Sequence, residues 1–294
     1  MKGPVYTCTK CDAQFPKWSG RCTSCGSWGS IGQQASEAAA DIPKRKAVAP
    51  GATASFAEDG AVAHANADPT GFEVLDHILS GGLVEGSVTL VAGEPGVGKS
   101  TLLAQIALVL AATGKGVLYV TGEESPSQIK RRLQRLSKDI PKSLHFLDTT
   151  DAPTIAATIE DVAPALTIVD SVQTLRCSDA TGEPGSVTQI KACAAIITEV
   201  AKRSKRPVIL VGQVTKDGDV AGPRLLEHVV DTVLFMDGDR MHRYRILRLL
   251  KHRFGPTDDI ALLSMTEKGL EAVEDASTEL LRDRPANAAG SAVS

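Results

Sequence analysis

The chain has 294 residues, 43% of them hydrophobic, and a formal net charge of −3. That length suits one large domain and a small one, and the mildly acidic balance excludes coating of nucleic acid by overall charge, so any such contact must be local. Six cysteines are too few for a disulfide scaffold of this size. The longest apolar stretch, Leu102 to Ala112, is too short for a bilayer and contains Gln105, and no apolar run follows a basic start. An unanchored cytoplasmic protein with no membrane contact is expected.

Residues 1–30 are turn-rich and poor in aliphatic side chains. Cys8, Cys11, Cys22 and Cys25 form C-x2-C, ten residues, C-x2-C. Two such turns facing each other complete a tetrahedral thiolate shell for Zn²⁺, and metal binding would supply the folding free energy this segment lacks. Two disulfides would need an oxidising compartment, and a redox C-x-x-C would need a strand-helix setting absent here. Lys2, Lys10, Lys17 and Arg21 against Asp12, with −2 from four thiolates on one zinc, leave this module about +1. Trp18 and Trp28 can stack on bases or cover the zinc turns, and residue type alone favours cover.

Residues 31–69 shift to Ala, Pro, Gly and scattered charge, the composition of a flexible linker. From 70 to 273, strand-like runs alternate with helical patterns: SVTLVA, GVLYVT, LHFLD, LTIVDS and PVILVG, with helices from about Pro126, Ala152 and Ser186. Such repetition predicts an α/β domain with a mainly parallel sheet covered by helices. VVDTVLFMD, YRILRLLKHRF and DIALLSM, separated by short polar turns, read as antiparallel strands added to one edge. Residues 274–294 are polar and Ala-rich, an expected disordered tail.

Gly93, Glu94, Pro95, Gly96, Val97, Gly98, Lys99, Ser100 and Thr101 spell a phosphate loop, G-x4-G-K-[ST], between a strand and an apolar helix. Its glycines admit backbone N–H groups to the phosphates of ATP, Lys99 neutralises the outer phosphates, and the Ser100 hydroxyl reaches Mg²⁺. Asp170, ending LTIVD, stands where a metal-orienting carboxylate is needed. Glu123 and Glu124, just beyond another strand end, are candidates for the group that activates water. Cys193, on the apolar face of the helix from about Ser186 to Arg203, reads as core, and Cys177 has no assigned role.

The phosphate loop, LYVTGEES, TIVDSVQT, EPGSVTQIKACA, TKDGDVAGPRLLEHVVDTVLFMDGDR and KHRFG, together with the four cysteines, closely resemble the bacterial RadA (Sms) family. The resemblance implies a RecA-like core and a DNA-dependent ATPase of recombination and repair. It also implies a hexameric ring that moves along single-stranded and branched DNA, promotes branch migration and meets recombinase or replication proteins. It selects Glu123 as the catalytic glutamate and Gln213 as the γ-phosphate sensor. Two implied DNA loops, 179–191 and 214–224, offer Lys191, Lys216 and Arg224 as phosphate contacts. It places Lys251 and Arg253 of KHRFG near the ATP of an adjacent subunit, where the bland alternative is a basic edge strand. His252 stands where the family motif has Asn, and the family's Lon-protease-like domain has no counterpart in this sequence. A zinc-containing nucleotide switch acting on a recombination or replication partner is the alternative function.

Overall fold

The computed structural model describes residues 6–11, 13–33, 67–214, 223–238 and 244–273, and the chain divides into two units, Met1–Gly60 and Ala61–Ser294. In the first, β1 (Tyr6–Cys8) pairs antiparallel with β2 (Gln14–Phe15) and with β3 (Ile31–Gln33). Among its described residues Cys8, Cys22 and Ile31 are the buried apolar ones, flanked by Tyr6 and Phe15. Ile31 faces Cys8 across the β1–β3 ladder, so the ordered ribbon runs past the boundary expected at residue 30. The indoles do not provide the expected cover: Trp18 is 62% and Trp28 76% exposed, because the five residues just named already fill so small an interior.

The second unit begins with β4 (Ala67–Asp68), inside the expected linker, which pairs with β5 (Leu83–Val84) around α1 (Glu73–Ile78). Its buried β6 (Val88–Gly93) feeds the phosphate loop and α2 (Lys99–Ala112). A helix apolar on nearly every face must be enclosed, and α2 buries Leu102, Leu103, Ile106, Ala107 and Leu110 beneath one face of the sheet. Then come β7 (Val117–Thr121), α3 (Pro126–Leu136), β8 (Leu144–Asp148), α4 (Ala152–Val162) and β9 (Leu166–Asp170). Ser125 and Gln128 form a capping box at the start of α3, and Asp151 caps α4 through the Thr154 amide, so both helices start where the sequence signals them. A 3-10 turn (Val172–Thr174), α5 (Val187–Ser204) and β10 (Val208–Gln213) complete the alternation. α4 and α5 cover the opposite face.

After α6 (Pro223–Leu226) come β11 (Thr232–Gly238), β12 (Tyr244–His252), β13 (Ile260–Thr266) and β14 (Gly269–Ala272). The nine-stranded sheet has the order β14-β13-β12-β11-β6-β10-β9-β7-β8. β12 and β13 are antiparallel edge strands, as expected, and β14, not anticipated from the sequence, extends that edge antiparallel to β13. β11 is not: it runs parallel to β6 and is antiparallel only to β12. β10 ends beside Gly93 whereas β11 starts beside Thr89, so the connection between them returns to the start of β6, which dictates the parallel sense. No helix of the described residues is long and apolar enough to cross a membrane.

Candidate functional site

Parallel strands aligned in register deliver their C-terminal ends to one edge, where ligands of open α/β sheets collect. Gln213 lies opposite Gly93, and Asp170 opposite Thr121, two residues before Glu123. The edge encloses a cavity of about 300 Å³ lined by Pro95, Gly96, Gly98, Lys99, Ser100, Thr101, Glu123, Arg132, Asp170 and Gln213. Phosphate loop, both strand-end carboxylates and the expected sensor thus meet in one space.

Close approach explains the loop glycines. A Cβ on Gly93 would lie 2.2 Å from the Met236 carbonyl oxygen, and Gly98 has φ +116° at the start of α2. Glu94 and Val97 do not line the cavity, and the Val97 side chain is packed in the core, which leaves only its backbone for the expected phosphate contact. Lys99 is 6% exposed, and its Nζ donates to the carbonyls of Gly93 (2.8 Å) and Glu94 (2.9 Å). Burial lowers its pKa, while the charges of Asp170 and Glu123 oppose that shift. An ammonium so desolvated is matched to a phosphate anion.

Three supporting side chains escaped sequence reasoning. The buried Tyr119 hydroxyl donates to Asp170 Oδ2 at 3.0 Å, and burial and that neighbouring carboxylate hold the phenol well above its ordinary pKa. It therefore serves as a donor at neutral pH. The buried Ser171 hydroxyl donates to Glu123 Oε1. Arg132 of α3 brings a guanidinium to the cavity wall and pairs with Glu124. Glu124 is thereby engaged with a cation while Glu123 faces the cavity. The hydrophobic pattern of β7 marks Tyr119 only as core, and nothing in the spacing of α3 marks Arg132. The oxygen donors Asp170 and Ser100 suit Mg²⁺.

KHRFG lies elsewhere. Thr232 pairs with both His252 and Thr89, so the motif sits toward the start of β6, roughly 13 Å of strand from Gly93. Lys251 Nζ donates to the carbonyls of Glu227 and Val230, and Arg253 Nη1 donates to Oδ1 of the buried Asp231 at 2.8 Å. The other Asp231 oxygen accepts from the Val88 amide at 3.0 Å. Burial foremost, with the charge of Arg253, lowers the Lys251 pKa. Neither cation lines the cavity of its own chain.

Lys191 is exposed near the start of α5, which begins on the nucleotide-site edge. Lys216 and the side chain of Arg224 lie outside the described residues. Gln189, a further residue missed from sequence, bonds the amide of Cys177 (2.8 Å) and the carbonyls of Cys177, Ala180 and Gly182. It ties the loop after β9 to α5. Cys193 is core as expected, its thiol pushed up to about 11 by burial.

In the ribbon, the sulfurs of Cys8, Cys11, Cys22 and Cys25 all lie within 4.8 Å of one another, with 3.7 Å between Cys8 and Cys25 and 3.6 Å between Cys11 and Cys22. Four sulfurs ~2.3 Å from a central ion would stand ~3.8 Å apart, whereas a disulfide needs ~2.05 Å. The amides of Lys10 and Cys25 point at Cys8 and Cys22 sulfurs, each at 3.5 Å, as thiolates require. The four fit zinc.

Comparisons with known proteins agree with these features. Residues 57–219 match the family described as AAA domain, and residues 6–33 that described as rubredoxin metal binding domain. The DNA repair protein RadA of Mycobacterium tuberculosis H37Rv is 44% identical over 98% of this chain and 60% of its own length. That of Bacillus subtilis is 40% identical over 98% and 63%, and that of Aquifex aeolicus 42% over 98% and 64%. The chain spans a little under two thirds of the length of these relatives. A KaiC-like protein of Pyrococcus horikoshii superposes with a TM-score of 0.60 at 18% identity, covering 71% of this chain and 99% of that one, which supports the fold alone. A family match across more than half of its residues makes the chain a member of the AAA-domain family, and nearly its whole length is similar to proteins named DNA repair protein RadA.

Proposed function

We propose that this chain is a DNA-dependent ATPase of homologous recombination and repair that couples hydrolysis to movement on DNA and to branch migration. The observation that carries the reading is the meeting of Lys99, Asp170, Glu123 and Gln213 in one cavity at the C-terminal strand edge. Lys99 and the loop amides hold the ATP phosphates, and Ser100 and Asp170 hold Mg²⁺. The ion neutralises charge on the phosphates when bound. Glu123, fixed by Ser171, orients and deprotonates water, while Arg132 adds a cation to the same wall. Gln213 reports the state of the γ-phosphate to the segment that follows β10, and Lys191, Lys216 and Arg224 meet DNA phosphates. Lys251 and Arg253, remote from their own cavity, complete the site of an adjacent subunit in a ring.

Glu123→Gln keeps the side-chain shape and removes the base. Nucleotide binding should persist while turnover falls at least a hundredfold, and near-normal turnover would remove Glu123 from the mechanism. Mixing Lys99→Ala with Arg253→Ala protein should restore part of the activity if the cation acts across subunits. No restoration, with both proteins in one assembly, would confine Arg253 to its own chain.

A second reading is favoured by the contacts of Lys251 and Arg253 within their own chain. A monomeric nucleotide switch, carrying zinc and acting on a recombination or replication partner, needs those cations only to anchor β12. It predicts slow hydrolysis indifferent to DNA.

A further inference from the structure

The chain has two tryptophans, and both lie in the cysteine ribbon, largely in solvent. The ribbon does not use them as core, which is made by Cys8, Cys22 and Ile31 with Tyr6 and Phe15. Exposed indoles on so small a unit are held in place nonetheless. Trp18 Nε1 donates to the Ile31 carbonyl at 3.0 Å. The Arg21 guanidinium lies 5.8 Å from the centre of the Trp28 ring, and its Nε donates to the Gly26 carbonyl at 3.1 Å. Arg21 and Trp28 are also bridged through their backbones, and the Trp28 ring borders Gly20, in the turn that follows Trp18.

The exposed rings and the local charge together narrow the occupant. Among the described residues of this unit, apart from the four cysteines, the charged side chains are Lys10, Lys17 and Arg21, all exposed cations. Asp12 and four thiolates on zinc leave the module only weakly positive, so the rings carry most of the grip. A ligand for this surface offers flat apolar faces and negative charge together. Single-stranded nucleic acid does so, because its bases are free to stack on an aromatic ring while its phosphates meet lysine and arginine. A duplex keeps those faces inside its own stack.

We propose that Trp28, backed by Arg21 and flanked by Trp18, is a stacking platform through which the zinc ribbon grips single-stranded DNA. The inference rests on the DNA-dependent reading above and adds a second contact, on a different unit from the ATPase loops. Ring stacking gives affinity without a base code, so grip should be tolerant of sequence and sensitive to salt.

Because every tryptophan of the chain is in the ribbon, intrinsic emission reports on this surface alone. The test titrates the full zinc-loaded chain with a fluorescein-labelled oligothymidylate at low salt, following dye anisotropy and tryptophan emission together. The expected result is quenching that tracks the anisotropy rise, binding about tenfold weaker in Trp28→Ala, and substantial recovery in Trp28→Phe. Zinc content of one ion per chain in each variant establishes that the ribbon is intact. An anisotropy rise with unaltered tryptophan emission would overturn the platform while leaving the DNA reading in place, and would assign the face to a protein partner. Equal quenching by a blunt duplex would overturn the single-strand preference on which the argument depends. Absence of any anisotropy rise would defeat both this inference and the DNA-dependent reading.

Discussion

In the proposed mechanism Asp170 orients the metal ion, and the Tyr119 hydroxyl fixes that carboxylate from inside the core. Tyr119→Phe keeps the ring and deletes one hydrogen bond, a loss of about 1 kcal/mol or roughly fivefold in an equilibrium. The Mg²⁺ concentration for half-maximal hydrolysis should rise by about that factor, with the melting temperature little changed. An unaltered magnesium dependence would reduce Tyr119 to packing. His252 makes a second prediction. Its Nδ1 meets Thr232 Oγ1 at 3.0 Å, and burial, opposed by a hydrogen bond with the Leu79 backbone, lowers its pKa below the ordinary value near 6.5. The unfolded chain then binds the proton more readily, so stability is present above pH ~6.5 and declines as pH falls toward the lower folded value. Melting curves between pH 7.5 and 5.5 should show this decline, and His252→Asn should flatten it. Lys99 and Asp170 were legible in the sequence because loop spacing and a strand end place them, and another strand end offered Glu123 together with Glu124; Gln213, and the choice of Glu123, came from the family resemblance alone. Tyr119, Ser171, Arg132 and Gln189 were not legible, since their roles arise from tertiary neighbours that no local pattern encodes.

Gln105 looks like a blemish in an apolar helix, but the sheet explains it. Its amide nitrogen donates to the Leu270 carbonyl at 3.0 Å and its oxygen accepts the Leu270 amide at 2.8 Å, tying α2 to edge strand β14. Gly269 at φ +116° has no room for a Cβ, which would lie 2.7 Å from the Gln105 amide carbon. Gln105→Leu leaves both Leu270 groups without these partners, a cost of about 1–2 kcal/mol and a melting temperature lower by a few degrees. A calorimetric scan checks it, and an unchanged midpoint would mean that water replaces the bonds freely. At this scale the alternation of strands and helices was readable from apolar runs and their turn signals. The sense of β11 was not, because direction depends on where the preceding connection lands rather than on the strand's own residues. Trp18 and Trp28 were misread for a related reason: residue type gives size and polarity, but the ribbon had no interior left for them.

For the whole molecule, the arrangement separates two chemistries. Nucleotide groups gather at one edge of the sheet, and Lys251 and Arg253 stand toward the other, so one chain alone does not bring them together. The proposed ring assigns that meeting to neighbouring chains, with Lys251 and Arg253 of one chain serving the cavity of the next. The most direct measurement is the rate of ATP hydrolysis across protein concentration, with and without single-stranded DNA, with mass recorded by light scattering on the same samples. The account predicts a rate that DNA stimulates and that rises as the assembly forms. Slow hydrolysis by a monomer, unchanged by DNA at every concentration and salt, would contradict it.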